Sequence, residues 1–110
     1  EIELLKTGRH FRLSPSYKLV VGRDKEENEK LLRLARKDDI CFEPEELPGP
    51  TGIGRGICDK EMETLSARII AHYTSLETEV NIVVKRNHDE KARVVSAKGI
   101  DENKLKELRI

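Results

Sequence analysis

Val21-Gly22-Arg23-Asp24-Lys25-Glu26-Glu27-Asn28-Glu29-Lys30-Leu31 decides how this chain folds. An apolar strand ends on Gly22 and Arg23, and a helix starts at once. Asp24 has N-cap chemistry, and Glu27 follows three residues later in a capping-box arrangement. Asn28, Leu31, Leu32 and Ala35 share one face of the helix. Arg36 and Lys37 close it, where positive charge suits the C-terminal dipole. The turn thus sets an arginine beside a helix N-terminus, whose free N–H groups and dipole favour an anion.

Upstream, residues 9–13 alternate, with Phe11 and Leu13 on one side and His10 and Arg12 on the other. Ser14-Pro15-Ser16 is turn chemistry, so 9–13 and 18–22 read as a hairpin. Downstream, residues 39–43 read as a short strand around Ile40 and Phe42. Residues 44–56 hold three of the four prolines and four of the seven glycines. Such a segment cannot be helical; it reads as an ordered loop followed by a glycine-rich edge strand near 51–55. Asp59 caps a second, longer helix on which Met62, Leu65, Ile69 and Tyr73 recur at helical spacing. Val80, Ile82 and Val84 mark a strand, a polar turn spans 86–91, and 92–97 is the partner strand. Ile100 and Leu105 flank Asp101 as a staple for a short final helix. The order ββαββαββα predicts a single α+β domain over residues 1–110. Its sheet is largely antiparallel, with both longer helices on one face.

The 110 residues suffice for one modest core. With two Phe, two Tyr and no Trp, that core is aliphatic. Lys+Arg and Asp+Glu balance at 21 each, so any attraction to polyanions must come from a local patch. No 18-residue apolar stretch exists, so no membrane helix is expected. Two cysteines suit a reducing cytosol and place the chain in the cytoplasm. A start at Glu1 without Met suggests a domain cut from the C-terminal part of a longer protein.

Charge is uneven along the chain. Residues 4–23 hold Lys6, Arg9, Arg12, Lys18 and Arg23 and no acid. Residues 43–63 are acidic, with Glu43, Glu45, Glu46, Asp59, Glu61 and Glu63 against Arg55 and Lys60. Residues 85–99 turn basic again through Lys85, Arg86, Lys91, Arg93 and Lys98. If the two basic blocks meet, they make one phosphate-binding face, because arginine bonds phosphate in bidentate fashion and lysine supplies point charge. The bland alternative is a solvated mixed-charge surface.

Other chemistry is thin. His10, His72, His88, Cys41 and Cys58 are not at metal-ligand spacings, so no metal site is assigned. Cys58 precedes a helix N-terminus, a place that lowers a thiol's pKa, but no partner histidine can be named. Gly49-Pro50-Thr51-Gly52-Ile53-Gly54-Arg55-Gly56 lacks the ending of a Walker A loop and the order of a dinucleotide fold. Its glycines read as structural, with a phosphate contact from Arg55 left open. Neither ATP turnover nor bound zinc is expected, and no catalytic residue or cofactor is assigned. Tyr17 and Tyr73 are the aromatics left for base stacking, since Phe11 and Phe42 read as buried.

The order and spacing of several short motifs carry a resemblance. Gly22, Arg23 and Asn28 with Leu31 match a V-G-R-(N/D)…N…L signature. Asp39 and Phe42 match an aspartate-plus-aromatic strand, and Pro48-Gly49 a proline-glycine loop. Ala67 and Tyr73 fit a small-residue helix ending in tyrosine. Together they make residues 9–97 similar to the RNA-binding domain of NFACT-type ribosome quality-control proteins. Two departures stand out: Ile40, Cys41 and Glu43 replace a strand that often carries Trp and His, and Pro50-Thr51 replaces a Ser-His pair. The opening Leu4-Leu5-Lys6-Thr7-Gly8-Arg9-His10-Phe11-Arg12-Leu13-Ser14 resembles the variant fused to PP-loop enzymes of the tRNA-thiolation kind.

The resemblance implies a non-catalytic module that presents tRNA or structured RNA to a tRNA-modifying partner domain. Its partners would be RNA (tRNA or ribosomal RNA) and a PP-loop ATPase domain in the same chain, with no membrane. The RNA-contacting candidates are Arg9, Arg12, Lys18, Gly22, Arg23, Asn28, Arg55, Lys85 and Arg86. The alternative is a protein-interaction module that docks a catalytic domain through the acidic 43–63 face. A salt series separates the two, because phosphate binding releases counterions and apolar docking does not.

Overall fold

A computed structural model describes residues 2–75, 77–89 and 91–110. Period-two and period-3.6 patterning alternate along the chain and give ten elements. These are α1 (Ile2–Leu5), β1 (Arg9–Ser14), β2 (Tyr17–Val21), α2 (Lys25–Leu34), β3 (Ile40–Pro44), β4 (Gly52–Gly56), α3 (Lys60–Thr74), β5 (Val80–Arg86), β6 (Ala92–Ala97) and α4 (Glu102–Leu108). The expected order is present, preceded by the short α1. Glu90, part of the expected 86–91 turn, lies outside the described residues.

All six strands form one antiparallel sheet in the order β1-β2-β4-β3-β5-β6. The two expected hairpins lie at its two margins. β1 is partly covered on its outer side by the chain end, where Ile110 N–H donates to the His10 carbonyl at 2.9 Å. The glycine-rich strand is not an edge. β4 sits centrally, between β2 and β3. A Cβ at Gly54 would lie 2.0 Å from the Tyr17 hydroxyl, and one at Gly52 would lie 2.8 Å from Ile70 Cδ1. The glycines therefore clear space for Tyr17 and for α3 to lie flat on the sheet. Tyr17 is fully buried there, with its hydroxyl 2.9 Å from Ser66 Oγ.

The two longer helices lie on opposite faces, contrary to the expectation of a shared one. Alternation along β2 shows this directly. Leu19 and Val21 pack with Met62, Ile69 and Ile70 of α3, together with Ile100 and Leu105. Val20 packs with Leu31 of α2, Leu4, Cys41 and Ile53. Consecutive apolar residues, Leu19-Val20-Val21 and Ile40-Cys41-Phe42, are what a strand needs when both its faces are covered.

Asp24, Asp59 and Asp101 each cap a helix by accepting the N–H three residues on, at 2.9, 2.8 and 2.9 Å. α2 stops at Leu34 rather than at Lys37, because Asp39 Oδ2 takes the Arg36 N–H at 2.8 Å. Leu34 at the end of α2 and Ala35, its C-cap, help cover the smaller core, while Leu32 is exposed. Asp39 also grips Arg55, with Nε donating to Oδ1 at 2.9 Å and Nη2 to Oδ2 at 2.7 Å.

Candidate nucleic-acid interface

The turn between β2 and α2 is clasped from both sides. Gly22 N–H donates to the Thr51 carbonyl, and Thr51 N–H donates to Asn28 Oδ1, each at 3.0 Å. A Cβ at position 22 would meet that same oxygen at 2.0 Å, so the close approach requires glycine. Glu27 completes the turn. Its carboxylate accepts from Arg23 N–H and Nε at 2.9 Å, from Arg23 Nη2 at 2.7 Å and from Gly8 N–H at 3.2 Å.

The bond from Arg23 is the main reason that the Glu27 pKa falls from its ordinary 4.5 to about 2. A depressed carboxylate pKa adds stability above the unfolded value and loses it as pH falls through the folded one. Glu27→Gln is therefore expected to lose about 1–2 kcal/mol at neutral pH. The gap to wild type should close as pH drops from 4.5 towards 2, which urea unfolding at several pH values measures.

Beside this turn lies a cleft of about 500 Å³. Its lining combines Arg9, Gly22, Arg23, Asp24, Lys25 and Asn28 with Pro48, Gly49, Pro50 and Tyr73. The Arg9 guanidinium stands 4.8 Å over the Tyr73 ring centre. Among the described residues, neither Arg9 nor Lys25 has a carboxylate within ion-pairing distance. Arg23 is half-exposed and keeps donors free beyond those given to Glu27.

A second cleft, of about 430 Å³, shares Arg9 and adds His10, Arg12, Lys18 and Arg109 along β1. Arg12 sits directly across from Lys18, and Lys18 across from Arg55. Burial, then the nearby Lys18, lowers the His10 pKa and favours the neutral ring.

With this geometry in place, comparison with known proteins is decisive. A match to the family described as NFACT protein RNA binding domain runs over residues 8–109. The chain belongs to that family. In fold, this NFACT RNA-binding domain is similar to the C-terminal part of the fibronectin/fibrinogen-binding protein from Streptococcus suis. The TM-score is 0.81 at 15% identity, over 94% of this chain and 49% of that one. The domain therefore spans about half the length of that solved chain. A search of curated proteins finds no match. Among the described residues of this NFACT RNA-binding domain, no helix is long and apolar enough to cross a membrane.

Of the nine RNA-contacting candidates named from sequence, this NFACT RNA-binding domain brings four to the first cleft: Arg9, Gly22, Arg23 and Asn28. Asn28 acts there by holding the turn. Arg12 and Lys18 lie at the other end of the β1–β2 hairpin, in the second cleft. Arg55 is committed to Asp39. Lys85 and Arg86 do not join either cleft: they lie on β5, beyond β3 and β4, and Arg86 Nη1 donates to the Asp38 carbonyl at 2.7 Å. The two basic blocks thus stay apart.

The acidic block is divided as well. Glu43 and Glu45 lie near the Pro48–Gly49–Pro50 loop, whereas Asp59 and Glu61 start α3, whose fifteen residues span about 22 Å. Sequence reasoning left out Lys25, and it did not single out Tyr73 and the proline loop as neighbours of Arg9. No local signal joins Arg9 to Tyr73, although Tyr73 stood out in sequence as an aromatic left for base stacking and as the end of the family's small-residue helix. Burial pushes the Cys58 thiol pKa up, the opposite of the lowering that a place before a helix N-terminus favours, and burial raises that of Cys41 to about 11. Among the described residues, no three His, Cys, Asp or Glu side chains cluster closely enough to hold a metal ion.

Proposed function

We propose that the cleft beside the Gly22–Arg23 turn binds RNA backbone, and that Arg12 and Lys18 extend the contact along β1. One observation carries this reading. Arg9, Arg23 and Lys25 line one cleft at the N-terminus of α2, against Asp24 as the one carboxylate of that lining, and neither Arg9 nor Lys25 forms an ion pair among the described residues. Like charges facing each other across strands, as Arg12 and Lys18 do, destabilise a sheet, and an anion bound between them would offset that repulsion. Family membership supports RNA as that ligand. In the full-length protein the module would hold tRNA or structured RNA for a tRNA-modifying domain of the PP-loop kind, in the cytoplasm. The resemblance of residues 4–14 to the PP-loop-fused variant supports that setting.

Filter binding of tRNA across a salt series is the test. Wild type should bind at low salt and weaken steeply as salt rises. Arg23→Ala should bind several-fold more weakly to many RNA sequences alike, because phosphate contacts position rather than specify. Its salt slope should flatten by about one. The reading fails if wild type has no affinity at low salt, or if Arg23→Ala matches wild type at every salt.

A further inference from the structure

The first cleft is lined by two chemically different kinds of residue, and phosphate binding uses one kind. Besides the charged Arg9, Arg23, Asp24 and Lys25, the lining holds Tyr73, Pro48 and Pro50, which offer apolar surface. Of the two tyrosines, Tyr17 is wholly buried, while Tyr73 is half-buried and faces the cleft. Its ring is held on two sides. The Arg9 guanidinium lies over it at 4.8 Å, and the His72 ring meets it edge-on at 5.1 Å and 81°. The proline loop is pressed against the end of α3, where a Cβ at Gly49 would lie 2.5 Å from Thr74 Oγ1. This part of the lining is therefore preformed.

Resting on the RNA-binding reading above, we infer that this cleft takes one unpaired nucleotide. The base lies against the Tyr73–Arg9 stack and the proline loop, and its phosphate lies at Arg23, Lys25 and the start of α2. An aromatic ring and a guanidinium plane are the surfaces on which splayed bases stack. The cleft's volume of about 500 Å³ suits a ligand of nucleotide size. A base inside a duplex is stacked and paired, so it cannot enter. The domain therefore prefers looped or single-stranded RNA over helices, at a point where backbone charge alone would not discriminate.

The chain's own fluorescence gives a direct readout, since it has two tyrosines and no tryptophan. The probes are a single-stranded adenylate oligomer and a blunt RNA duplex of equal length, titrated in one low-salt buffer. Tyrosine emission should be quenched by the single strand, and the quenching should persist in Tyr17→Phe, where Tyr73 is the one fluorophore. The single strand should bind more tightly than the duplex. Tyr73→Leu should weaken single-strand binding roughly 10-fold and leave duplex binding unchanged. Tyr73→Phe, which keeps the ring, should restore the affinity. Equal affinity for both probes, without quenching and without a Tyr73→Leu effect, overturns the nucleotide slot and leaves phosphate binding standing. Failure of both probes to bind at low salt removes the RNA reading itself, and the slot with it.

Discussion

Replacing Asp39 by Ala is expected to cost about 3–5 kcal/mol, because it breaks a largely buried ion pair. Its carboxylate is 4% exposed and faces an Arg55 guanidinium that is 17% exposed. The change takes the carboxylate from beside a mostly buried cation and also strips the Arg36 N–H of its acceptor. Because Asp39 ties the end of α2 to β3 and β4, the loss should be global. Total stability of a domain this size is about 5–15 kcal/mol, so much of it would go. Thermal melting should show a midpoint lower by roughly 15–30 °C. A shift under about 3 °C would show that the pair is not a structural tie.

Charge reversal at Arg9 should have the largest effect on binding. Arg9 lines both clefts and has no carboxylate partner among the described residues. Arg9→Glu removes one favourable phosphate contact and adds one repulsion. A loss of about 2–3 kcal/mol corresponds to roughly 30- to 150-fold weaker tRNA binding. The salt slope should fall by about two. Glu61→Lys, on the far end of α3, serves as the control and should stay within about twofold of wild type. If the two substitutions weaken binding equally, the contact surface is not the one beside β1. Arg9→Glu breaks no ion pair among the described residues but loses the stack on Tyr73, so its melting midpoint should fall by only about 2–8 °C.

Much of this architecture was legible in the chain itself. The three aspartate caps, both hairpins and the single sheet follow from short-range chemistry, where a side chain reaches its own backbone or a strand alternates. What the pattern does not encode is which helix covers which face. Alternation assigns Leu19 and Val20 to opposite sides of β2, but only packing shows that α3 covers one and α2 the other. The unbroken apolar runs at 19–21 and 40–42 were the available hint. β4 was misplaced for a related reason. Glycines carry no side-chain pattern, so their crowding by Tyr17 and Ile70 is invisible until those residues are in place.

The site divides in the same way. Arg9, Gly22, Arg23 and Asn28 belong to one hairpin and its helix, and their proximity is local. Tyr73 reaches Arg9 only because α3 crosses the sheet and ends beside β1. The basic residues at 85–99 looked equivalent in sequence, yet two intervening strands hold them away. Distance along a sheet, unlike distance along a chain, depends on strand order, and strand order is a tertiary property.

The clasp around Gly22 bears on how a ligand would be received. Two hydrogen bonds at the Thr51 backbone, its carbonyl accepting from Gly22 N–H and its N–H donating to Asn28 Oδ1, fix the turn before anything arrives. The entropy of ordering that loop is lost once, during folding, and not again at each encounter. Docking at such a preorganised surface meets no segment that must first find its shape. Association there is governed by electrostatic approach, and the lifetime of the complex by the contacts that must break.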